Sequence, residues 1–241
     1  MVEVGASRLL VDCGLSAREA ELRLARLGLA PPDLAGIVVT HEHDDHVSGV
    51  FGFARKHGLP VWITYGTWRA LNPDPDAAVE SATMLIDSHT PFAIGEIEVT
   101  PLPVPHDARE PVQYLFSDGA RRLGLLTDTG ASTRHIETML SGCEALVLEC
   151  NHDPELLARG PYPRWLKERV GGSYGHLANS QAAALVAAID QSRLTHVVAA
   201  HLSETNNTPA LARAALAGAL NCSLEWIGVA EQGFGFDWRT A

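Results

Sequence analysis

The stretch that decides the fold reads Thr40-His41-Glu42-His43-Asp44-Asp45-His46-Val47 and combines three histidines with three acidic residues. The apolar run 36–40 leads into it and predicts a buried β-strand. Helical spacing begins at Val47 and ends at Gly58, so we expect the polar stretch to form a strand-to-helix loop. Loops at this edge of a sheet are where α/β proteins usually keep their sites.

The side chains of this stretch are of the kinds that bind transition metals. His41 and His43 are two residues apart and can turn toward one cation, whereas Asp45 and His46 are adjacent and can reach a second. Imidazoles with a carboxylate suit zinc, manganese or iron better than calcium or magnesium, which prefer oxygen ligands. The alternative is a solvated polar loop that binds metal only by accident.

Composition sets the size and class of the protein. A chain of 241 residues with 46% hydrophobic residues is long enough for one domain spanning 1–241 with a sizeable core. No apolar run approaches the ~18 residues that a membrane span needs, and no signal-like leader opens the chain. The four cysteines are widely separated, which favours reduced thiols and a cytoplasmic location.

The net charge of −11 argues against broad, non-specific binding of nucleic acid, which needs a basic surface. Predicted strands dominate the first half of the chain, and strands alternate with helices in the second. This order favours a sandwich of two mixed sheets with helices outside. A proline-rich loop is expected at 72–76.

Three further candidate ligands follow predicted strands. His106 comes after the strand 97–104, Asp128 after 123–127 and His201 after 196–200. Asp128 stands in the sequence Leu126-Thr127-Asp128-Thr129-Gly130, which suits a ligand held by a tight turn. Two cations about 3.5–4 Å apart would stabilise both the attacking and the leaving oxygen of a hydrolysis. The sequence therefore predicts a dinuclear metal site with Zn²⁺ or Mn²⁺.

The spacing H-x-H-x-D-H resembles the signature of the metallo-β-lactamase fold, a superfamily of mostly dinuclear hydrolases. The resemblance implies a four-layer αββα sandwich, with Asp12 bracing the metal loop and Asp128 bridging both metals. The ligands would be divided between the metals as follows: the first takes His41, His43, His106 and Asp128, and the second takes Asp45, His46, Asp128 and His201. Asp45 is also expected to act in catalysis. Family members usually start with one more strand, so we expect the first N-terminal strand to be missing.

His176 lies in a glycine-rich segment, Gly171-Gly172-Ser173-Tyr174-Gly175-His176, that opens a predicted helix. Backbone N–H groups and the helix dipole at such a point favour an anion such as phosphate. A histidine there could protonate a leaving alkoxide, so we predict a general acid. The alternative is a capping or core histidine.

Segments beyond the first loop resemble one bacterial subgroup, the WalJ/YycJ-like family of metal-dependent exonucleases. These segments are Leu126–Gly130, Leu148–Asp153, Gly175–Asn179 and His201–Asn207. The resemblance implies 5′→3′ hydrolysis of DNA, with His176 assisting the leaving group. The same last segment supplies Ser203, Asn206 and Asn207 as candidate substrate contacts.

Two other functions compete with this hypothesis. A small-molecule (cyclic) phosphodiesterase would use the same metals and the same chemistry, and the acidic net charge favours it slightly. The complete ligand set argues against a non-catalytic metal-binding module. Glyoxalase-like and lactamase-like members usually place their third-motif histidine in Gly-His-Thr-Pro-Gly, whereas here the sequence is Pro105-His106-Asp107-Ala108.

The segment 151–175 favours a nucleic-acid substrate. Its net charge is +1, from four basic and three acidic residues, where the whole chain has −11. Arg164, Trp165 and Lys167 lie in this segment, and Tyr162 and Tyr174 flank them. Basic groups that follow phosphates and aromatic faces that stack bases suit single-stranded DNA ends. The alternative is a surface crossover whose aromatic side chains pack on the core.

Overall fold

The computed structural model describes residues 1–71 and 77–240. The predicted α/β class is confirmed, because helices flank two β-sheets. The chain divides into two compact units, the first formed by Met1–Pro103 with Ala108–Asp118 and the second by Val104–Asp107 with Gly119–Ala241. A single domain over 1–241 stays a prediction, and the loop expected at 72–76 lies outside the described residues.

The first unit contains a five-stranded sheet and an antiparallel three-stranded ladder. The sheet has the order β1-β2-β3-β4-β5, in which β1 is antiparallel to β2 and the other pairs are parallel. Its strands are β1 Val2–Val4, β2 Ser7–Val11, β3 Gly36–Val38, β4 Val61–Thr64 and β5 Thr83–Ile86. The ladder pairs β6 Phe92–Ile94, β7 Ile97–Pro103 and β8 Val112–Ser117.

Helices cover the sheet of the first unit. They are α1 Ala17–Arg26, α2 Asp44–Val47, α3 Val50–His57, α4 Tyr65–Leu71 and α5 Ala77–Ala82, with a 3₁₀ turn at Pro31–Asp33. Ile37 and Ile63 of the strands and Phe53 of α3 belong to one fully buried cluster. Each such side chain contributes about 1.5–3 kcal/mol by leaving water, so this core holds the end of β3 in place.

The second unit is built on four parallel strands in the order β12-β11-β10-β9. The strands are β9 Arg122–Leu126, β10 Ala145–Glu149, β11 His196–Ala200 and β12 Ile227–Val229. The helices are α6 Arg134–Leu140, α7 Pro154–Arg159, α8 Arg164–Val170, α9 Asn179–Ala188 and α10 Pro209–Leu220, with a 3₁₀ turn at Leu224–Trp226. Glu149 is in register with Ala200, and Leu148 with Leu126, so the carboxyl ends of β9, β10 and β11 meet at one edge.

Two predictions of local structure are wrong in detail. The helix expected from Val47 to His57 begins earlier, at Asp44, and is broken at Gly49 into α2 and α3. The break is fixed by packing, because the N–H of Gly49 donates to the Cys13 carbonyl at 2.8 Å. The sequence from Leu224 to Val229 predicts a strand throughout, but it starts as a 3₁₀ turn and becomes extended only at Ile227. Within the described part of the chain, no helix is both long and apolar enough to span a membrane.

Candidate metal and catalytic site

Asp12 holds the metal-binding stretch of the first unit in place. Its Oδ1 accepts the backbone N–H of Thr40 and its Oδ2 accepts the Thr40 hydroxyl, both at 2.8 Å. The same Oδ2 lies 2.9 Å from Nδ1 of His46. A carboxylate on one ring nitrogen fixes the tautomer and leaves the other nitrogen, Nε2, available as a ligand. This is the bracing role that the family resemblance implies for Asp12.

Three imidazoles cluster above this brace. The ring centroid of His41 lies 4.6 Å from that of His43 and 4.3 Å from that of His46. Asp45 lies on the first turn of α2 with a side chain that is 69% exposed, and its Oδ2 is 3.6 Å from Nε2 of His46. The four residues predicted as ligands in this unit are therefore close neighbours, with nitrogen and oxygen donors together.

Close backbone packing around α2 requires glycine at two points. A Cβ on Gly14 would lie 1.7 Å from the carbonyl oxygen of Asp45, and a Cβ on Gly49 would lie 1.8 Å from that of Leu15. Cys13 donates its N–H to the carbonyl of His46 at 2.7 Å. The segment that follows Asp12 therefore packs directly against α2, the helix that carries Asp45 and His46.

In the second unit, Asp128 and His201 both follow parallel strands in a left-handed backbone conformation. Their φ angles are 52° and 56°, and Asp12 of the first unit has 56°. Non-glycine residues held there cost roughly 1–3 kcal/mol each, a strain that tends to occur at functional sites. Each of the three residues stands within two positions of the end of a strand.

Glu149 is the centre of a buried hydrogen-bond network that sequence reasoning missed. Its Oε1 lies 2.8 Å from Nδ1 of His176 and 3.1 Å from Nδ1 of His201. Its Oε2 accepts the backbone N–H groups of Thr129 at 3.0 Å and Leu177 at 3.1 Å. Burial alone would raise the pKa of the Glu149 carboxyl, but hydrogen bonds from the two histidines outweigh it and the pKa lies below its ordinary value. The carboxylate therefore stays charged and directs Nε2 of both imidazoles away from itself.

A sequence signal for Glu149 did exist. It is an acidic residue that closes an otherwise apolar strand, directly beside the strand that ends just before His201. Its partners, however, lie 27 and 52 positions away, and only the folded sheet brings them together.

His106 approaches Asp128 from the segment between β7 and β8. Its Nδ1 lies 3.1 Å from the Gly175 carbonyl, which accepts the Nδ1 proton and fixes the tautomer. Nε2 is thereby left as the acceptor, 4.0 Å from Oδ1 of Asp128. The ring of His176 lies 5.4 Å from that of His106 and 5.3 Å from that of His201, so all four side chains surround one small volume.

The donor set of the second unit fits a transition-metal ion. Ligand atoms of Asp128, Glu149, His176 and His201 all lie within 4.8 Å of one another. Four hydrogen bonds already occupy the carboxylate of Glu149, so it orients its neighbours better than it could bind a cation. Asp128 with imidazole nitrogens is a combination that suits zinc or manganese.

The predicted substrate contacts fall into two groups. Arg164, Trp165 and Lys167 lie on α8, and Trp165 is 64% exposed. In contrast, Asn206 and Asn207 are buried: Asn207 donates to the Cys150 carbonyl at 2.6 Å, and the backbone N–H of Asn206 donates to the Ser203 hydroxyl at 3.1 Å. The second group supports the fold around His201, since the chain after His201 is fastened by these bonds.

Comparison with known proteins identifies the family. The model of the beta-lactamase superfamily domain matches residues 7–201, and the chain belongs to this family. It is thus a metal-dependent hydrolase of the metallo-β-lactamase fold. A solved structure with this fold, YhfI from Bacillus subtilis, superposes with a TM-score of 0.72 at 18% identity, covering 98% of this chain and 89% of that one.

Two relatives confirm the resemblance to the WalJ/YycJ-like subgroup. The exodeoxyribonuclease YycJ of Bacillus anthracis is 36% identical over 98% of this chain and 86% of its own length. The exodeoxyribonuclease WalJ of Streptococcus pneumoniae is 33% identical over 88% of this chain and 79% of its own length.

Proposed function

We propose that the chain is an exonuclease that hydrolyses single-stranded DNA from the 5′ end with two bound divalent ions, Zn²⁺ or Mn²⁺. The observation that carries this proposal is the Glu149–His176 pair beside Asp128, with 2.8 Å between Oε1 and Nδ1. The names of the two relatives support a DNA substrate. The direction of digestion rests on the family resemblance.

The metal ligands are assigned from the order of the family motifs and from the geometry inside each unit. His41, His43, His106 and Asp128 would hold the first ion; Asp45, His46, Asp128 and His201 would hold the second. When bound, such ions supply a nucleophile from water at neutral pH and stabilise charge on the attacking and leaving oxygens.

His176 acts in this proposal as a general acid and not as a ligand. Glu149 holds Nδ1, so Nε2 is the atom that gives its proton to the leaving oxygen. The side chain is 22% exposed, enough to meet a substrate while its partner Glu149 is fully buried. Proton transfer of this kind is typically worth ~10²–10⁴-fold in rate.

The DNA strand would lie along α8 and the segment that follows it. Trp165 and Tyr174 are 64% and 63% exposed, so neither aromatic ring is packed in the core. Arg164 pairs with Glu168 at 2.7 Å, but its side chain is 92% exposed and can turn to a phosphate. Stacking on an aromatic ring is worth ~1–3 kcal/mol per base.

A small-molecule phosphodiesterase is the second candidate, because the net charge of −11 suits a strand poorly. The substitution Trp165→Ala separates the two. We expect it to weaken cleavage of a single-stranded oligonucleotide by about tenfold or more, while a minimal phosphodiester ester turns over as in the wild type. Trp226→Ala, which removes another part-exposed tryptophan of the same unit, is the matched control. Equal losses on both substrates would contradict the nuclease proposal.

A further inference from the structure

A groove of about 450 Å³ lies in the second unit, formed by α7, α8 and the start of α9. Its walls include His152, Leu157, Lys167, Glu168, Gly171, Ser180 and Gln181, and the carboxylate of Glu168 is paired with Arg164 at 2.7 Å. This volume is within the range of small-ligand sites, which commonly combine an apolar wall with a few polar groups. The hydrolytic chemistry proposed above uses none of His152, Ser180 and Gln181.

His152 is the feature that points to a ligand. The residue is 3% exposed, and among the described residues its buried Nδ1 has no hydrogen-bond partner. An unpaired buried N–H is costlier than an unpaired lone pair, so the proton belongs on Nε2. That nitrogen points toward Gly171 of the groove wall, 3.9 Å from where a Cβ on this glycine would stand. Burial lowers the pKa of His152, so the ring is neutral and offers an Nε2–H donor.

The opposite walls supply a cation and a helix start. Lys167 donates one of its three ammonium protons to the Ala158 carbonyl at 2.7 Å, which holds the charge against the groove. Ser180 lies in the first turn of α9, where its hydroxyl and the helix dipole favour an anion, while the N–H groups of Asn179 and Gln181 already donate to the carbonyls of His152 and Ala178. Leu157 is buried beside them and provides the apolar face on which a ring could lie.

We propose that this groove binds one nucleotide unit, with its phosphate between Lys167 and Ser180 and its base against Leu157 and His152. The choice of a nucleotide rests on the proposed function, whereas the groove itself does not. The nucleotide could be a free mononucleotide or one residue of a bound strand, because both present the same phosphate and base.

The test is calorimetric titration of the metal-loaded wild type, and separately of variants, with deoxyadenosine monophosphate, and with inorganic phosphate as a second probe. Asp128→Asn is included because it weakens nucleotide binding at the metal site and leaves the groove intact. Ser180→Glu places a negative charge in the groove, and a glutamate in the first turn suits the helix dipole. Ala187→Glu adds the same charge about 10 Å further along α9, beyond the Debye length of about 8 Å.

We expect the Asp128→Asn protein to bind the mononucleotide. Adding Ser180→Glu to that protein should weaken the binding by up to about tenfold. That factor corresponds to one lost hydrogen bond. His152→Phe should show a similar loss, and Ala187→Glu none. Should His152→Phe fail to fold, the comparison of Ser180→Glu with Ala187→Glu decides. Absence of binding in Asp128→Asn, or equal affinities in Ser180→Glu and Ala187→Glu, would overturn the proposal.

Two further measurements on the same proteins identify the source of the nucleotide and keep the two proposals apart. If a short oligonucleotide competes with the mononucleotide, the natural ligand of the groove is one residue of the strand. If the two bind independently, the natural ligand is a free mononucleotide. If the wild type hydrolyses a strand but its groove binds no nucleotide, only the proposal for the groove is refuted. A groove that binds the mononucleotide in a protein that hydrolyses no strand would refute the exonuclease alone.

Discussion

Replacing Glu149 by glutamine tests the hydrogen-bond network at the centre of the site. The carboxylate accepts four hydrogen bonds, two from imidazoles and two from backbone N–H groups. A glutamine side chain has one accepting oxygen and one donating NH₂ group. In either orientation the NH₂ group faces two hydrogen-bond donors, which are the two imidazoles or the two backbone N–H groups. To avoid that conflict, His176 and His201 must move their protons from Nδ1 to Nε2. His201 then carries a proton on the nitrogen that would bind metal, and His176 loses the carboxylate that holds its Nδ1.

The size of the effect follows from the same bonds. A hydrogen bond to a charged group contributes about 1 kcal/mol more than a neutral one, so four of them set a ceiling of about 4 kcal/mol on the loss of stability. The loss of turnover should be larger, about 10²–10⁴-fold, since His176 loses the carboxylate that orients it for proton transfer. Urea unfolding measures the first quantity, and hydrolysis of a labelled strand measures the second.

Glu144→Gln is the matched control for this variant. Glu144 is also a buried carboxylate next to β10; it accepts the N–H of Arg122 at 2.7 Å and pairs with Arg193. We expect it to lose stability while its turnover stays near that of the wild type. Similar turnover in Glu149→Gln and Glu144→Gln would refute the role assigned to Glu149.

Four further outcomes can be checked on the same protein. Asparagine tolerates the left-handed backbone, so Asp128→Asn should lose bound metal with little loss of stability. Asp128→Ala should lose both metal and stability, as metal analysis and thermal melting would show. His176→Ala should lower turnover ~10²–10⁴-fold with metal content unchanged; loss of one metal equivalent would make it a ligand. Gly14→Ala should fail to fold or melt far lower, because its Cβ would lie 1.7 Å from a carbonyl of α2. Burial raises the pKa of Cys150, so a thiol reagent should label the half-buried Cys222 first in the native protein, and equal labelling rates would contradict this.

The sequence predicted the elements whose residues carry a local signal. The strand predicted at 196–200 matches β11 to the residue, and those predicted at 97–104 and 123–127 match β7 and β9 to within one residue at each end. The metal-binding stretch was recognisable because its ligands lie within six positions of one another. Such features depend on neighbours in the chain, so the chain alone reveals them.

Other features depend on contacts between distant residues and were not predictable. The break between α2 and α3 comes from the packing of Gly49 against Leu15, which no periodicity shows. Glu149 was overlooked because its role comes from His176 and His201, which approach it only in the folded sheet. The burial of Asn207, expected at the substrate, reflects its bonds to Cys150 and Asn179.

Digestion of a single-stranded oligonucleotide labelled at one end or the other tests the central claim most directly. The proposed 5′→3′ exonuclease releases the 5′ label at once as a mononucleotide, while the 3′ label stays on a shortening ladder. A chelator should stop the reaction, and added Zn²⁺ or Mn²⁺ should restore it. Internal cuts, immediate release of the 3′ label, or hydrolysis that survives removal of the metal would each contradict the account.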